Sequence, residues 1–439
     1  MQTIGFISLG CAKNQVDCEQ MMFLLQQAGY RISGELEGCD LVIVNTCGFI
    51  DAAKSEAIDN ILMVGQLKEQ GLVGKLLVTG CLAQRYQQEI LDEMPEVDGV
   101  LGTGSYFDVV AAVKELLSGR PVAEYGDINA PVREAGRILT TPPQYAYLKI
   151  AEGCDNRCAF CVIPSLRGRY RSRKMEDVVA EAETLAESGV KELIVVAQDT
   201  SRYGLDLYQK RMLPELLRQL CRVDGIHWVR VHYTYPDEIT DELIDVVATE
   251  PKIVKYLDIP IQHVNDGILK AMHRRGNKQY LEQLFPKLRE RIPGLVIRTS
   301  LIAGLPGEGE AEFDELCEFL RRHKLERVGA FAFSPEEGTP AAAMEYPENE
   351  VAMQRAEFIG ELQSRILDEF NEHFFDQTLE VLCEDFDGQY YYGRTYADSP
   401  GIDGTVRFTS DNDIEPGSFV QVLILGAEDG DLLGREAMA

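Results

Sequence analysis

The sequence predicts an α/β multidomain protein: a parallel α/β sheet domain, then a partial (β/α)6 TIM-like barrel, then a small antiparallel β-barrel. Three observations predict it. The first ~120 residues alternate strand and helix patterns, six further β-then-α units follow, and the last ~65 residues carry short strands alone. At 439 residues the chain is also too long for one compact core.

In the first region, apolar runs at residues 3–9, 40–45 and 75–79 read as strands. Helical stretches at 15–28 and 52–70 separate them, ended by Gly29 and Gly71, because glycine readily takes the left-handed turn past a helix end. Residues 121–142 hold Pro121, Pro131 and Pro142 with little apolar periodicity and read as a linker after a domain at 1–120. In the expected barrel, 143–370, six strands are predicted at 145–151, 192–197, 227–232, 254–259, 295–302 and 327–333. Amphipathic helices at 175–188 and 310–323 lie between some of them. Residues 376–439 form the last domain, with strands at 378–383, 389–395, 404–408, 419–425 and 432–436 between Gly, Asp and Pro turns.

Six of the eleven cysteines form two triplets. One is tight: Gly153-Cys154-Asp-Asn-Arg-Cys158-Ala-Phe160-Cys161 directly follows the first barrel strand. The other is dispersed: Cys11, Cys47 and Cys81 each follow a strand of the first domain by one or two residues. Open parallel sheets and barrels both place their sites at the carboxyl ends of the strands, so each triplet is expected on the functional edge of its domain. Three thiolates can hold a 4Fe–4S cube and leave one iron open for chemistry. Two such sets imply two clusters and an enzyme; a zinc site with a distant fourth ligand is the competing reading. Cys18, Cys39, Cys221, Cys317 and Cys383 lack such a setting and are expected in cores.

The formal charge of −29 opposes unaided binding to nucleic acid and favours a basic partner. Residues 376–439 hold 14 acidic residues against Arg394, Arg407 and Arg435, which argues against direct RNA binding there. The opening Met-Gln-Thr-Ile-Gly-Phe lacks an export leader, and no apolar stretch nears the ~20 residues of a membrane helix. The reducing cytoplasm is the expected compartment. Arg167-Gly-Arg-Tyr-Arg-Ser-Arg-Lys174 reads either as an anion-steering patch or as a solvated loop. Gly304-Leu-Pro-Gly-Glu308 reads as a turn, and His263, at the end of the fourth barrel strand, as structural.

Cys154-x-x-x-Cys158-x-Phe160-Cys161 resembles the signature of radical S-adenosylmethionine (SAM) enzymes. Gly10-Cys11-x-x-Asn14-x-x-Asp17, Asn45-Thr-Cys47-x-Phe49 and Thr79-Gly-Cys81-x-x-Gln84 resemble the amino-terminal domain of methylthiotransferases, and the last domain resembles a TRAM domain. The resemblance spans nearly the whole chain. Val195-Val-Ala-Gln-Asp-Thr200 and Leu257-Asp-Ile-Pro-Ile-Gln-His263 are closest to the branch acting on a small-subunit ribosomal protein, protein twelve. The resemblance implies that Cys154, Cys158 and Cys161 hold the cluster that cleaves SAM, with Phe160 near SAM, and that Cys11, Cys47 and Cys81 hold an auxiliary cluster. It further implies two SAM per turnover, methylthio transfer to an aspartate β-carbon, and a flavodoxin- or ferredoxin-type electron donor. Gly309 departs from the Thr common in relatives, a weak loss of helix capping. Two rivals remain: a tRNA adenosine as substrate, or a non-catalytic zinc or RNA-binding protein. Both triplets are expected to face one cavity.

Overall fold

A computed structural model describes residues 1–437; the last two residues of the predicted third domain lie outside the described residues. The first sheet contains β1 (Thr3–Ser8), β2 (Arg31–Ser33), β3 (Leu41–Thr46), β4 (Leu76–Gly80), β5 (Gly99–Leu101) and β6 (Val122–Glu124). All pair in parallel, in the order β2-β1-β3-β4-β5-β6. Successive residues of a strand point to opposite faces, and β3 shows the result. Leu41 and Ile43 pack with Cys18, Met21 and Leu25 of helix α1 (Ala12–Gln27), whereas Val42 and Val44 pack with Ala57, Ile61 and Val64 of α2 (Asp51–Glu69). The short strands β2, β5 and β6 have no apolar run long enough to announce them, and β6 falls within the expected linker.

The central sheet contains β7 (Tyr145–Lys149), β10 (Glu192–Val196), β11 (Trp228–Val231), β12 (Ile253–Asp258), β13 (Val296–Ala303) and β14 (Arg327–Ala332). Their spatial order is their chain order, all parallel, which gives an open six-stranded partial barrel as expected. A two-stranded ribbon, β8 (Ala151–Glu152) with β9 (Arg171–Ser172), frames the tight cysteine loop. The last domain is a closed barrel of β15 (Thr378–Phe386), β16 (Tyr391–Arg394), β17 (Val406–Thr409), β18 (Phe419–Glu428) and β19 (Asp431–Glu436), with one parallel pair, β17 with β19. Among the described residues no helix is long and apolar enough to cross a membrane.

The small barrel seats on the concave side of the central sheet. Trp228, Val254, Tyr256 and Val296 of that sheet share one apolar cluster with Val381, Phe408 and Val422 of the barrel. Polar side chains close the joint: Arg230 and Arg394 both donate to Glu192, at 2.6 and 2.7 Å, and Tyr256 Oη donates to Asp403 at 2.7 Å. The floor of the central barrel is thereby filled, and its open end is the carboxyl edge of the strands. Of the three basic residues of the last domain, Arg394 is consumed in this joint and Arg407 pairs with Glu428 at 2.7 Å.

Candidate functional site

Cys11 immediately precedes α1, Cys47 follows β3, and Cys81 opens the short helix α3 (Cys81–Tyr86) directly after β4. Because β1, β3 and β4 are neighbours in the sheet, the three strand ends bring the cysteines to one edge, Cys11 three residues past β1 rather than one or two. Two glycines permit the close approach. A Cβ on Gly10 (φ +89°) would lie 2.7 Å from Cys47 Cβ, and one on Gly80 (φ +94°) would lie 2.4 Å from the Thr46 carbonyl oxygen. Asn14 clasps the strand ends, its Nδ2 donating to the Leu9 and Thr46 carbonyls at 2.7 and 3.2 Å. Asn45 Nδ2 returns a bond to the Asn14 carbonyl at 2.8 Å. The motif residues around the cysteines thus set the loop geometry.

Gly10→Ala is expected to lose the iron of the dispersed triplet while the tight triplet keeps its own. A left-handed conformation costs a non-glycine residue about 1–2 kcal/mol before any clash, and the added carbon meets Cys47 itself. Iron stoichiometry after anaerobic reconstitution checks this; full loading would show that the loop tolerates the methyl group.

The tight loop is pinned at three points: Cys154 N–H donates to the Gly168 carbonyl at 3.1 Å, Ala159 N–H to Met272 at 3.0 Å, and Ala341 N–H to Ala159 at 2.9 Å. Asn156 donates to buried Asp199 at 2.6 Å, which explains the Val195–Thr200 motif. Cys158 Sγ lies 3.3 Å from Tyr235 Oη and 3.7 Å from Arg274 Nη1. Phe160 packs beside Ile268, Met272 and Leu305, so it stands next to the Gly304–Glu308 turn. Cys154, Cys158 and Cys161 line a cavity of about 1020 Å³ with Arg85, Arg169 and His273, at the upper end of the range for small-molecule sites. Arg85 follows Cys81 by four residues, so both domains wall this cavity.

The two edges are joined directly. The short helix Ile163–Arg167 begins two residues after Cys161, and its Val162 and Leu166 surroundings pack on Cys81 and Phe49. At its far end Arg167 Nη2 lies 3.5 Å from Cys81 Sγ and 3.0 Å from Asn14 Oδ1. The same guanidinium donates to Asp17 at 2.5 Å and to Glu152 at 3.3 Å, and Lys149 pairs with both carboxylates. Burial pushes the Glu152 carboxyl up, but Lys149 and Arg167 outweigh it and hold it below the usual range. On the far side of the cavity, Glu336 accepts from Arg85 at 2.7 Å and Lys54 at 3.1 Å.

The Arg167–Lys174 run divides: its exposed members keep both sequence readings open, and its buried members fit neither. Arg167 and Arg173 are buried, Arg173 held by Glu134 and Glu181 at 2.5 Å each, while Arg169 alone of the run's basic residues lines the cavity. Asp17 and Glu152 answer Arg167, and Glu134 and Glu181 answer Arg173, partners that the run itself does not show, while Arg169 and Lys174 are exposed. His263 is structural as read: fully buried, its Nδ1 accepts from Asn265 N–H at 3.0 Å and its Nε2 lies 3.2 Å from Glu308, off the line of a hydrogen bond. Glu308 closes its turn by accepting from Gly304 N–H at 2.8 Å and from Arg355 at 2.9 Å. Gly309 caps the next helix through Glu312, which accepts its N–H at 3.0 Å. Cys18, Cys39, Cys317 and Cys383 are buried in apolar clusters, with Cys221 packed against one.

The donor chemistry suits iron–sulfur clusters. Burial pushes the Cys81 thiol up to about 11 and Cys154 to about 12, and raises Cys161 and Cys47 as well. Cys11 is exposed, and there desolvation by the surrounding loops is outweighed by Lys13, Arg167 and backbone N–H groups, which lower the thiol. Coordinated metal supplies the missing positive charge and deprotonates such thiols. Among the described residues no three Cys, His, Asp or Glu converge as ligands of a single ion. A cube instead takes its three thiolates at separate corners.

This fold and cysteine loop define the radical SAM class: residues 148–320 match the radical SAM superfamily, whose members use an iron–sulfur cluster and SAM. Residues 3–102 match the uncharacterized protein family UPF0004, and residues 377–436 the TRAM domain. The ribosomal protein uS12 methylthiotransferase RimO of Thermoanaerobacter sp. is 47% identical over 99% of this chain and 100% of that protein. RimO of Caldanaerobacter subterraneus subsp. tengcongensis is 48% identical over 99% and 100%, and that of Clostridioides difficile 46% over 99% and 98%. The chain belongs to this methylthiotransferase family. The radical SAM methyltransferase TsrM of Kitasatospora setae, solved with tryptophan and a SAM analogue, shares the fold at a TM-score of 0.58 and 14% identity, over 88% of this chain and 79% of that chain.

Proposed function

We propose that this chain adds a methylthio group to the β-carbon of an aspartate in ribosomal protein uS12, with two 4Fe–4S clusters and two SAM per turnover. One observation carries the reading: two three-cysteine sets stand on adjoining carboxyl edges, bridged by the helix Ile163–Arg167. Cys154, Cys158 and Cys161 hold one cluster and Cys11, Cys47 and Cys81 the other. When bound, these groups supply radical generation from SAM and a site for the transferred sulfur. The chain's own residues do the rest. Arg274 and Arg167 set positive charge against one thiol of each set, Asn156 and Asp199 fix the loop, and Phe160, packed against the apolar cluster that holds Leu305, would lie near SAM. The relatives' substrate, uS12, suits an acidic enzyme, because a ribosomal protein carries the opposite charge. The last domain, with Arg394 and Arg407 already paired, offers little to a phosphate backbone and disfavours a tRNA substrate. The reductant is a flavodoxin- or ferredoxin-type protein, and the reaction takes place in the cytoplasm, on free uS12 or on the ribosome.

Mass spectrometry of uS12 from cells with and without this enzyme tests the reading. Loss of one methylthio group's mass from the aspartate peptide is expected in its absence. An unchanged mass with an altered tRNA adenosine would instead establish the tRNA branch.

A further inference from the structure

We propose that the solvent face of the tight cysteine loop is the docking surface of an acidic flavodoxin-type protein, which delivers the electron for SAM cleavage there. The inference rests on the reading that Cys154, Cys158 and Cys161 hold the SAM-cleaving cluster, and names the face through which that cluster is reduced. The cavity of about 1020 Å³ lies on this face, rimmed by exposed Arg157, Ser165, Arg169 and Glu337. All three cysteines of the tight set line it, and none of the dispersed set does. A substrate carbon that takes sulfur from the dispersed set must reach both sets, so this mouth does not suit it. A one-electron donor needs the tight set alone.

Charge selects the sign of that donor. In a chain with 72 acidic and 43 basic residues, cations gather on this face. Arg157, Arg169 and Lys210 are exposed, and among the described residues none of them has an ion-pair partner. Beside them Arg202, Arg211 and Arg275 converge on Glu238, at 3.7, 2.8 and 2.9 Å. Asp237, 2.9 Å from Arg275, is the second carboxylate of this group, so three guanidinium groups face two carboxylates. Arg275 also donates to Asn156 Oδ1 at 3.2 Å, which ties the group to the loop between Cys154 and Cys158. Of the exposed carboxylates nearby, Asp155 accepts Tyr170 N–H at 3.2 Å and Asp206 accepts Ser172 N–H at 2.8 Å; Glu337 remains. Such a rim steers an acidic protein in and repels a basic one, uS12 included.

Depth selects the kind of carrier. Cys154 and Cys158 are only 8% and 6% exposed, so the donor must reach into the cavity. An iron–sulfur centre lies behind its own cysteine loop, as it does here, whereas a flavoprotein can present the edge of a planar flavin at its surface. Exposed Leu207 and Tyr208, beside Lys210 in the chain, add apolar area to the small interface that transient electron carriers use. The anionic flavin hydroquinone gives up one electron and becomes the neutral semiquinone, and the cluster gains that electron; no proton or other atom moves.

The test follows 5′-deoxyadenosine formation without peptide by the reconstituted full chain, driven either by dithionite or by an acidic flavodoxin reduced to its hydroquinone. The KM for flavodoxin is expected to rise with salt. Arg169→Glu and Lys210→Glu should each raise it about threefold or more, leaving iron content, cluster EPR and the dithionite-driven rate as in wild type. Arg169→Lys should keep the wild-type KM. Lys114→Glu makes the same charge change on the helix Val109–Leu117 of the first domain and should leave the KM unchanged. A flavodoxin KM equal in all these proteins, or raised as much by Lys114→Glu, overturns the proposal. So does a reduced ferredoxin that drives cleavage where flavodoxin does not, or weakened uS12 binding in the two reversals with an unchanged flavodoxin KM. If Arg169→Glu sheds iron, Lys210→Glu against Lys114→Glu decides. A fully iron-loaded wild type that dithionite cannot drive to cleave SAM fells the reading of the tight set, and this inference with it; dithionite-driven cleavage with a flavodoxin KM indifferent to Arg169 and Lys210 fells this inference alone.

Discussion

Replacing Cys154, Cys158 and Cys161 together by alanine is expected to halve the reconstituted iron, from about eight atoms per chain to about four, and to abolish 5′-deoxyadenosine formation. Replacing Cys11, Cys47 and Cys81 should also halve the iron but leave peptide-free SAM cleavage in place while abolishing methylthio transfer. The expectation follows from where the two sets are anchored. The dispersed set hangs on β1, β3 and β4, whose strands pack in their own two apolar clusters, and the tight set hangs on the separate core of the central barrel. Loss of three thiols from one edge leaves the backbone bonds that shape the other loop intact, such as Cys154 N–H to Gly168. Circular dichroism confirms folding, and sulfide and zinc are assayed with iron. Loss of all metal from either folded triple variant would mean one shared site, and zinc without sulfide would sink the enzyme reading.

Much of this arrangement was legible in the sequence because it is written in local pattern. Strand-length apolar runs placed β1, β3, β4 and the six central strands within a residue or two of their observed bounds. A parallel sheet then requires that cysteines after neighbouring strands share an edge. What local pattern does not carry is partnership across the chain. Arg167 looked like part of a solvated or anion-steering run, yet its partners Asp17 and Cys81 lie in the other domain, 150 and 86 residues away. Arg274 and Tyr235, which touch Cys158, have no spacing that relates them to the cysteine loop. The short β2, β5 and β6 were missed for a different reason: three residues are too few for an alternating pattern to register. The seating of the last domain on the central sheet was likewise invisible, since Arg230, Tyr256 and Arg394 are buried polar residues whose partners belong to another domain.

Arg167→Leu is expected to destabilise the chain by about 3–5 kcal/mol, the cost of removing one partner from a buried ion-paired group, and to empty the dispersed triplet of iron before the tight one. Arg167 is 3% exposed, and its guanidinium alone contacts Asp17, Glu152, Asn14 and Cys81. Without it two buried carboxylates share the single ammonium of Lys149 as their one ion-pair partner, so one buried negative charge loses its contacting cation. Such a loss is a large fraction of the 5–15 kcal/mol by which folded domains are typically stable. Lysine at this position restores the charge but not the fork that reaches four partners, so Arg167→Lys should recover only part of the loss. The double variant Asp17→Asn, Arg167→Leu separates charge from packing. Removing the stranded carboxylate should return part of the stability, a coupling of about 0.5–3 kcal/mol between contacting groups. Denaturant midpoints of the four proteins, read beside their iron content, decide the matter. If the double variant is no more stable than Arg167→Leu, packing of the arginine stem rather than its charge joins the two edges; if Arg167→Leu itself shifts stability by less than about 1 kcal/mol, the helix Ile163–Arg167 is not the bridge.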